Sequence, residues 1–266
     1  MPLGYIPSRD TGASLWYRLF GSRRFSRTIE FRIITRWLGR ERGLVLDLGA
    51  GSGEFAAHLA DRGCRVVAFD LDRNALTVGQ RAATRGIEWV AGDATLLPFA
   101  DAAFNFVVCN SATEHFPDDR ATIREVARVM KPGGRIFLTT DSHPCCPSPW
   151  LRWIPKRWRR RELQIDDRLD QALALSHQHR HQVLRFYDAP GLGSLLAGEG
   201  LHVQEWRYYM NDPFSKAIFE LHLVLAALDF YNRLSRRLYP LFLPFTFPVF
   251  RRRAGYGLAI LAVRAQ

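Results

Sequence analysis

The sequence predicts an α/β fold, a mostly parallel sheet with helices on both faces, from three observations. An aliphatic strand runs straight into a glycine turn and a helix. A second aliphatic strand, about 20 residues past the first glycine, ends in an acid. Strand-like runs then follow one another, with turn or helical stretches between them, through the first half of the chain. A parallel connection must cross over the sheet, and a helix is the compact way to do it. With 266 residues, 47% of them hydrophobic, one such domain with added elements is expected rather than two.

The first strand is Leu44-Val45-Leu46-Asp47-Leu48, whose four aliphatic residues read as a strand buried on both faces. Gly49, Gly51 and Gly53 follow, with Ala50 and Ser52 between them. Phe55, Ala56, Leu59 and Ala60 then keep helical spacing as far as a Gly63 stop. Strand, glycine turn and helix in that order bring backbone N–H groups close to a ligand, because glycine puts no Cβ in the way. The dinucleotide fingerprint is G-x-G-x-x-G; here the third glycine comes one place early and Glu54 takes the last position. An acid at a helix start is a poor neighbour for a pyrophosphate and suits a ligand carrying positive charge.

Arg65-Val66-Val67-Ala68-Phe69-Asp70 is the second strand, and Asp72 beyond it reads as a helix-start charge. Residues 87–93 form the third, again with an acid, Asp93, at its end. Leu96-Leu97-Pro98-Phe99 and Asp101 make a turn segment, and residues 104–109 the fourth strand, in which Cys109 is expected to be core. Glu114 and His115 follow. Asp118 and Asp119 look like caps for a helix over 120–130, with Ile123, Val126, Ala127 and Met130 at core spacing. Arg128-Val129-Met130-Lys131-Pro132-Gly133-Gly134 is a helix end and turn leading into a fifth strand over 135–139.

These landmarks, in this order, resemble the class I S-adenosylmethionine-dependent methyltransferases, and within them the branch with LPF, EH and R-V-[LM]-K-P-G-G motifs. Residues 44–140 match almost end to end. The resemblance implies a Rossmann-like sheet of seven strands, mostly parallel, with the sixth over 202–208 and the seventh, over 257–264, antiparallel. It also implies roles. The glycine motif, Gly49-Ala50-Gly51 and Gly53, lets the backbone approach the methionine part of S-adenosylmethionine, and Asp47 holds the amino group directly or through water. Asp70 accepts from both ribose hydroxyls and Leu71 flanks the adenine. Asp93 reads the adenine amino group, with a backbone N–H from Ala94. Asn110 and Ser111 sit just past the fourth strand, where the methyl group faces the acceptor. An oxygen acceptor also needs a base; the candidates are His115, His143 and His181, the last matching a histidine the branch often carries before the helix expected over 188–198.

The remainder divides into a helical lid over 1–42, the cofactor-binding core over 43–141, a basic, aromatic insertion over 142–187, and a C-terminal half over 188–266. Residues 14–38 mix Leu15, Trp16, Leu19, Phe20, Phe25, Ile29, Ile33 and Trp37 with arginines and a single acid, Glu30. Lid, membrane-surface helix and organelle transit segment all fit such a basic amphipathic stretch; the resemblance favours the lid. Residues 1–10 hold no apolar h-region, so a secretory signal is not expected, and Arg23-Arg24 is discounted as a twin-arginine signal because no apolar stretch follows. Trp150, Trp153 and Trp158 alternate with cations, a pattern that suits nucleic acid, a phospholipid surface or a phosphorylated substrate as well as a solvated face. His177, His179 and His181 lack nearby cysteines or acids and read as a polar loop, so no metal is expected. Residues 214–238 form an apolar helical stripe interrupted by Glu220, His222 and Asp229, which argues against a bilayer span. Residues 239–250 are apolar with three prolines, ahead of Arg251-Arg252-Arg253. The insertion over 211–254 therefore either caps a greasy pocket or lies among lipid headgroups.

The formal charge of +11 is unusual, and Cys64, Cys109, Cys145 and Cys146 show no metal or disulfide spacing, which fits a reducing compartment. The expected location is the cytoplasm, at the inner face of a membrane if the apolar segment meets lipid. Cys109-Asn110-Ser111-Ala112 stands in place of the Asp/Asn-Pro-Pro-Tyr signature of many amide and nucleobase methyltransferases, which argues against DNA adenine. The leading expectation is methyl transfer to oxygen or carbon of a hydrophobic small molecule or lipid-like acceptor, with nucleic acid disfavoured as a partner. Methylation of RNA or another polyanion is one rival, and a non-catalytic cofactor-binding partner subunit is another. The sequence is silent on oligomeric state.

Overall fold

The computed structural model describes residues 25–39, 42–82, 86–142, 185–209 and 257–266. In chain order the elements are α1 (Phe25–Leu38), β1 (Leu44–Leu48), α2 (Glu54–Asp61), β2 (Arg65–Asp70), α3 (Arg73–Ala82), β3 (Ile87–Ala91), β4 (Phe104–Asn110), a 3-10 turn (Thr113–His115), α4 (Asp119–Val129), β5 (Met130–Asp141), α5 (Ala189–Gly198), β6 (Leu201–Tyr209) and β7 (Gly257–Arg264). The seven strands form one sheet in the order β3-β2-β1-β4-β5-β7-β6. Strands β1 to β5 run parallel, and β7 is antiparallel to both β5 and β6.

Each face of the sheet has its own core. Leu46, Leu48, Val67, Phe69, Val107, Cys109, Ile136 and Leu138 pack with α4 and α5. The alternate residues, Val45, Val66, Ala68, Phe106, Val108 and Phe137, pack with α1 and α2. Strands buried on both sides must be apolar throughout, which is why the sequence runs without alternation there. Helix starts follow the expected chemistry: Asp118 Oδ1 accepts from the Ala121 N–H at 2.9 Å, Asp188 Oδ1 from Gly191 at 2.8 Å, and Asp72 Oδ1 from Asn74 at 2.8 Å. The first of these leaves Asp119 within the helix's opening turn, where Tyr187 and Arg185 bind its carboxylate at 2.5 and 2.8 Å.

Helix α1 is a full member of the second core, with Ile29, Phe31, Ile34, Trp37 and Leu38 buried. Buried Glu30 accepts from the Tyr209 hydroxyl at 2.9 Å, Trp37 Nε1 donates to Glu205 at 2.8 Å, and Arg135 donates to the Trp37 carbonyl at 2.9 Å. This part of the expected lid is thus a layer of the sandwich lying over β5, β6 and β7. Residues 1–24 of that expectation lie outside the described residues, as do the Trp150–Trp158 stretch, the histidine tract and the apolar insertion over 211–254.

Candidate active site

From β1 the chain winds outward through β2 to β3, then returns to lay β4 on the other side of β1. At such a reversal the loops leaving the carboxyl ends of the two central strands part, and open α/β sheets bind their ligands in that crevice. Strand parity aims four polar side chains toward it from one face. Asp47, Asp70, Asn110 and Thr139 each lie two residues beyond a member of the α1/α2-side core (Val45, Ala68, Val108 and Phe137) and so project from the same side of the sheet.

The glycine loop is built onto the end of β2. The N–H groups of Gly49 and Ala50 donate to the Phe69 carbonyl at 2.8 and 3.0 Å, and the Gly51 N–H donates to Asp70 Oδ2 at 2.7 Å. Gly49, Gly51 and Gly53 all have left-handed backbones, with φ of 73°, 54° and 75°. Their surroundings differ. A Cβ on Gly49 would come within 2.5 Å of the Ala112 Cβ, and one on Gly53 within 2.3 Å of the Trp89 ring, but one on Gly51 would meet nothing within 4 Å. Two of the glycines serve packing, and the middle one turns bare backbone to open space.

Asp70 accepts from Gly51 through Oδ2 and from the Asp72 N–H through Oδ1 at 2.8 Å. A carboxylate oxygen has two lone-pair directions, so each oxygen keeps one for a vicinal diol. Leu71, between the two acids, is 68% exposed, an open apolar surface where a flat base could lie. The Gly92 N–H donates to the Asp70 carbonyl at 3.0 Å and so holds Asp93 beside Asp70. Asp93 is exposed, and bonds from the Thr95 N–H and hydroxyl, both 2.8 Å, keep its carboxyl below the usual range. Ala94 packs, half-buried, against the first core.

Asn110 is the last residue of β4, one position earlier than expected, and is buried. Its Oδ1 accepts from the Thr139 hydroxyl at 2.8 Å, and its Nδ2 has no hydrogen-bond partner among the described residues. Ser111 turns the chain with φ of 47°, and its N–H is shared by the carbonyl and hydroxyl oxygens of Thr139, both at 3.0 Å. In the 3-10 turn, Thr113 and Glu114 are buried and His115 is half-buried. Burial pushes the Cys109 thiol up to about 12, with the Glu114 and Asp47 carboxylates acting in the same direction. Cys109 is a neutral core thiol. Of the three candidate bases, His115 stands at the carboxyl edge of β4; His143 and His181 lie outside the described residues.

Two residues escaped the sequence reading, one in the site and one that supports a loop away from it. Thr139 is one: its signal was positional, since it pairs in register with Asn110 at the end of the neighbouring strand. Arg128 is the other. Its guanidinium donates to the carbonyls of Leu97 (2.9 Å) and Phe99 (2.8 Å), to Asp101 (2.7 Å) and twice to Glu125 (2.8 Å each), and the Glu125 carboxylate accepts from the Leu97 N–H at 2.8 Å. That explains physically why the LPF turn and the arginine of the R-V-M-K-P-G-G stretch occur together.

A family model described as a methyltransferase domain matches residues 46–138. A demethylmenaquinone methyltransferase of Paenarthrobacter aurescens is 42% identical over 103 residues, 39% of this chain and 40% of that protein. Another of the same name, from Thermobifida fusca, is 34% identical over 173 residues, 62% of this chain and 71% of its own. The chain belongs to the class I S-adenosylmethionine-dependent methyltransferases. Several further relatives are matched over only 42–44% of their length. Among solved structures, an S-adenosylmethionine-dependent methyltransferase from Mesorhizobium loti has the same fold, with a TM-score of 0.55 and 16% identity over 88% of this chain and 97% of that one.

The cofactor of a class I methyltransferase is S-adenosylmethionine, and the residues present fit it. The bare backbone at Gly51, the lone pairs of Asp70 beside the Asp93 carboxylate, and the buried Asn110 amide together offer what an adenosyl amino acid needs. Among the described residues, no helix is long and apolar enough to cross a membrane.

Proposed function

We propose that the protein transfers a methyl group from S-adenosylmethionine to oxygen or carbon of a hydrophobic, quinol-like acceptor. The observation that carries the methyl-transfer reading is the convergence of the Gly51 backbone and the Asp70 carboxylate, 2.7 Å apart, at the switch point of the sheet. The acceptor class draws support from relatives whose names specify demethylmenaquinone, a lipid-like quinone. It also draws on the apolar composition of residues 211–254. An acceptor of that kind is drawn from a bilayer, which favours work at the cytoplasmic face of a membrane.

Bound S-adenosylmethionine supplies a methyl group already activated on a sulfonium. The chain's own residues supply alignment and exclusion of water. Asp70 and Asp93 orient the adenosine, Asp47 takes the amino group, and the glycine turn permits close approach. Of the three candidate bases, we assign to His115, at the carboxyl edge of β4, the role of taking the acceptor's proton, where the acceptor is a hydroxyl or an adjacent ring carbon.

Calorimetry with S-adenosylhomocysteine and with NAD, on wild type and Asp70→Ala, tests the cofactor. Homocysteine-form binding lost in the variant is expected, and NAD binding alone overturns the reading. Radiolabelled methyl transfer to a short-chain demethylmenaquinol in liposomes tests the acceptor. The charge of +11 favours RNA or another polyanion as a second reading. That reading requires labelled RNA and activity that collapses as salt rises. Turnover of any acceptor by the chain alone excludes a purely non-catalytic partner role.

A further inference from the structure

Thr139 sits at a branch of the hydrogen-bond network. Its hydroxyl oxygen accepts from the Ser111 N–H at 3.0 Å, and its proton goes to Asn110 Oδ1 at 2.8 Å. A carboxamide whose oxygen is claimed in this way must present its NH2 on the other side. That NH2 is buried, with Asn110 only 5% exposed, and among the described residues nothing accepts from it. A buried donor left without an acceptor costs about 1–3 kcal/mol, so an acceptor from beyond the described residues is expected to complete it, and a ligand in the crevice is one.

The neighbouring strand defines that ligand. Asp47 is two residues short of the level of Asn110, since it pairs with Val108, and it lies on the same face. Strand spacing and rise put the two Cα atoms roughly 8 Å apart. An α-amino acid zwitterion, with a hydrogen bond of about 2.8 Å at each end, spans such a gap. Its ammonium suits an acid and its carboxylate suits an amide donor. We infer that Thr139 is a positioning residue that fixes the Asn110 amide to donate to the carboxylate of the cofactor's amino-acid end, opposite the ammonium held at Asp47. This rests on the reading that the crevice binds S-adenosylmethionine.

The test is calorimetry with three probes: S-adenosylhomocysteine, decarboxylated S-adenosylmethionine, which keeps the amine, and 5'-methylthioadenosine, which lacks the whole amino-acid end. Thr139→Val is expected to weaken S-adenosylhomocysteine roughly tenfold to a hundredfold and to leave the other two within twofold. Thr139→Ser restores the hydroxyl and with it wild-type affinity. Asn110→Asp turns the donor into an anion, so S-adenosylhomocysteine weakens further while the decarboxylated compound holds or gains. Equal losses for all three probes in Thr139→Val, or no loss for S-adenosylhomocysteine, overturn the assignment. If wild type itself binds none of the three, the cofactor reading falls and this inference falls with it.

Discussion

Two loops, one at each end of the sheet, are built on opposite plans. The glycine loop follows the carboxyl end of β1, and the 97–101 loop is clamped to the end of α4 and leads into the amino end of β4. In the 97–101 loop the polar groups are matched: Arg128 uses all five of its N–H donors on Leu97, Phe99, Asp101 and Glu125, and Glu125 answers the Leu97 N–H. Those partners raise the Arg128 guanidinium further above its ordinary range. In the glycine loop the backbone is tied to β2 from behind, through Phe69 and Asp70, while its middle residue faces open space. Saturated polar groups mark a support and open ones mark a binding surface. Both loops carry sequence landmarks, so landmarks alone do not separate the two roles.

Four substitutions sharpen this contrast, in order of their cost to the fold. Gly53→Ala combines a left-handed backbone with a Cβ 2.3 Å from the Trp89 ring. Strain and overpacking together are expected to cost about 3–4 kcal/mol in urea unfolding, so Gly53 belongs with the supports although it lies in the binding loop. A cost under about 1 kcal/mol would show that Trp89 yields freely. Arg128→Met strands two carbonyls and leaves Glu125 without its cation, at a cost of about 2–3 kcal/mol. The contrast requires that the folded variant keep S-adenosylhomocysteine affinity within threefold.

A pH scan separates support from site in another way. His58 on α2 stacks on Phe31 at 4.4 Å and meets Thr35 Oγ1 at 3.0 Å. Burial, helped by the nearby Arg62 charge, lowers it from 6.5 to about 4. The unfolded chain takes up this proton near pH 6.5 and the folded chain only near 4. The contribution is therefore complete above pH 6.5 and is lost as pH falls toward 4, by up to about 3 kcal/mol. Unfolding measured at pH 7.5, 5.5 and 4.5 should show a steeper decline in wild type than in His58→Gln. Parallel slopes would mean that the ring takes up its proton at the same pH in the folded chain as in the unfolded one.

Much of this was legible from residues alone, for reasons that differ by element. Strands β1 and β2 were read to the residue because a doubly buried strand is an apolar run with abrupt ends, and the glycines and Asp70 terminate it sharply. The fifth strand was read short: Met130 already pairs with Phe104, and the pairing resumes at Arg135 only after an irregularity around Gly133 and Gly134 that no periodicity reveals. The partners of α1 could not be read from its residues, because an amphipathic stretch rich in arginine, favoured as a lid, gives no sign that Glu30 is buried against Tyr209. Thr139 was invisible for a related reason. An apolar strand tolerates a threonine anywhere, and only the register shows that this one faces Asn110.

Gly51→Ala is the mildest change to the fold and the most telling for the site. The new methyl group meets no atom within 4 Å, so only the backbone conformation, φ of 54°, resists it, at about 1–2 kcal/mol. Stability should therefore fall less than in either Gly53→Ala or Arg128→Met. Affinity should run the other way, because the open space into which that Cβ projects is where the bare backbone lets a ligand approach. S-adenosylhomocysteine binding is expected to drop by more than a hundredfold in a chain that is still folded. Wild-type affinity in Gly51→Ala would show that the emptiness beside Gly51 is ordinary solvent, and the contrast between a supporting loop and a binding loop would no longer hold.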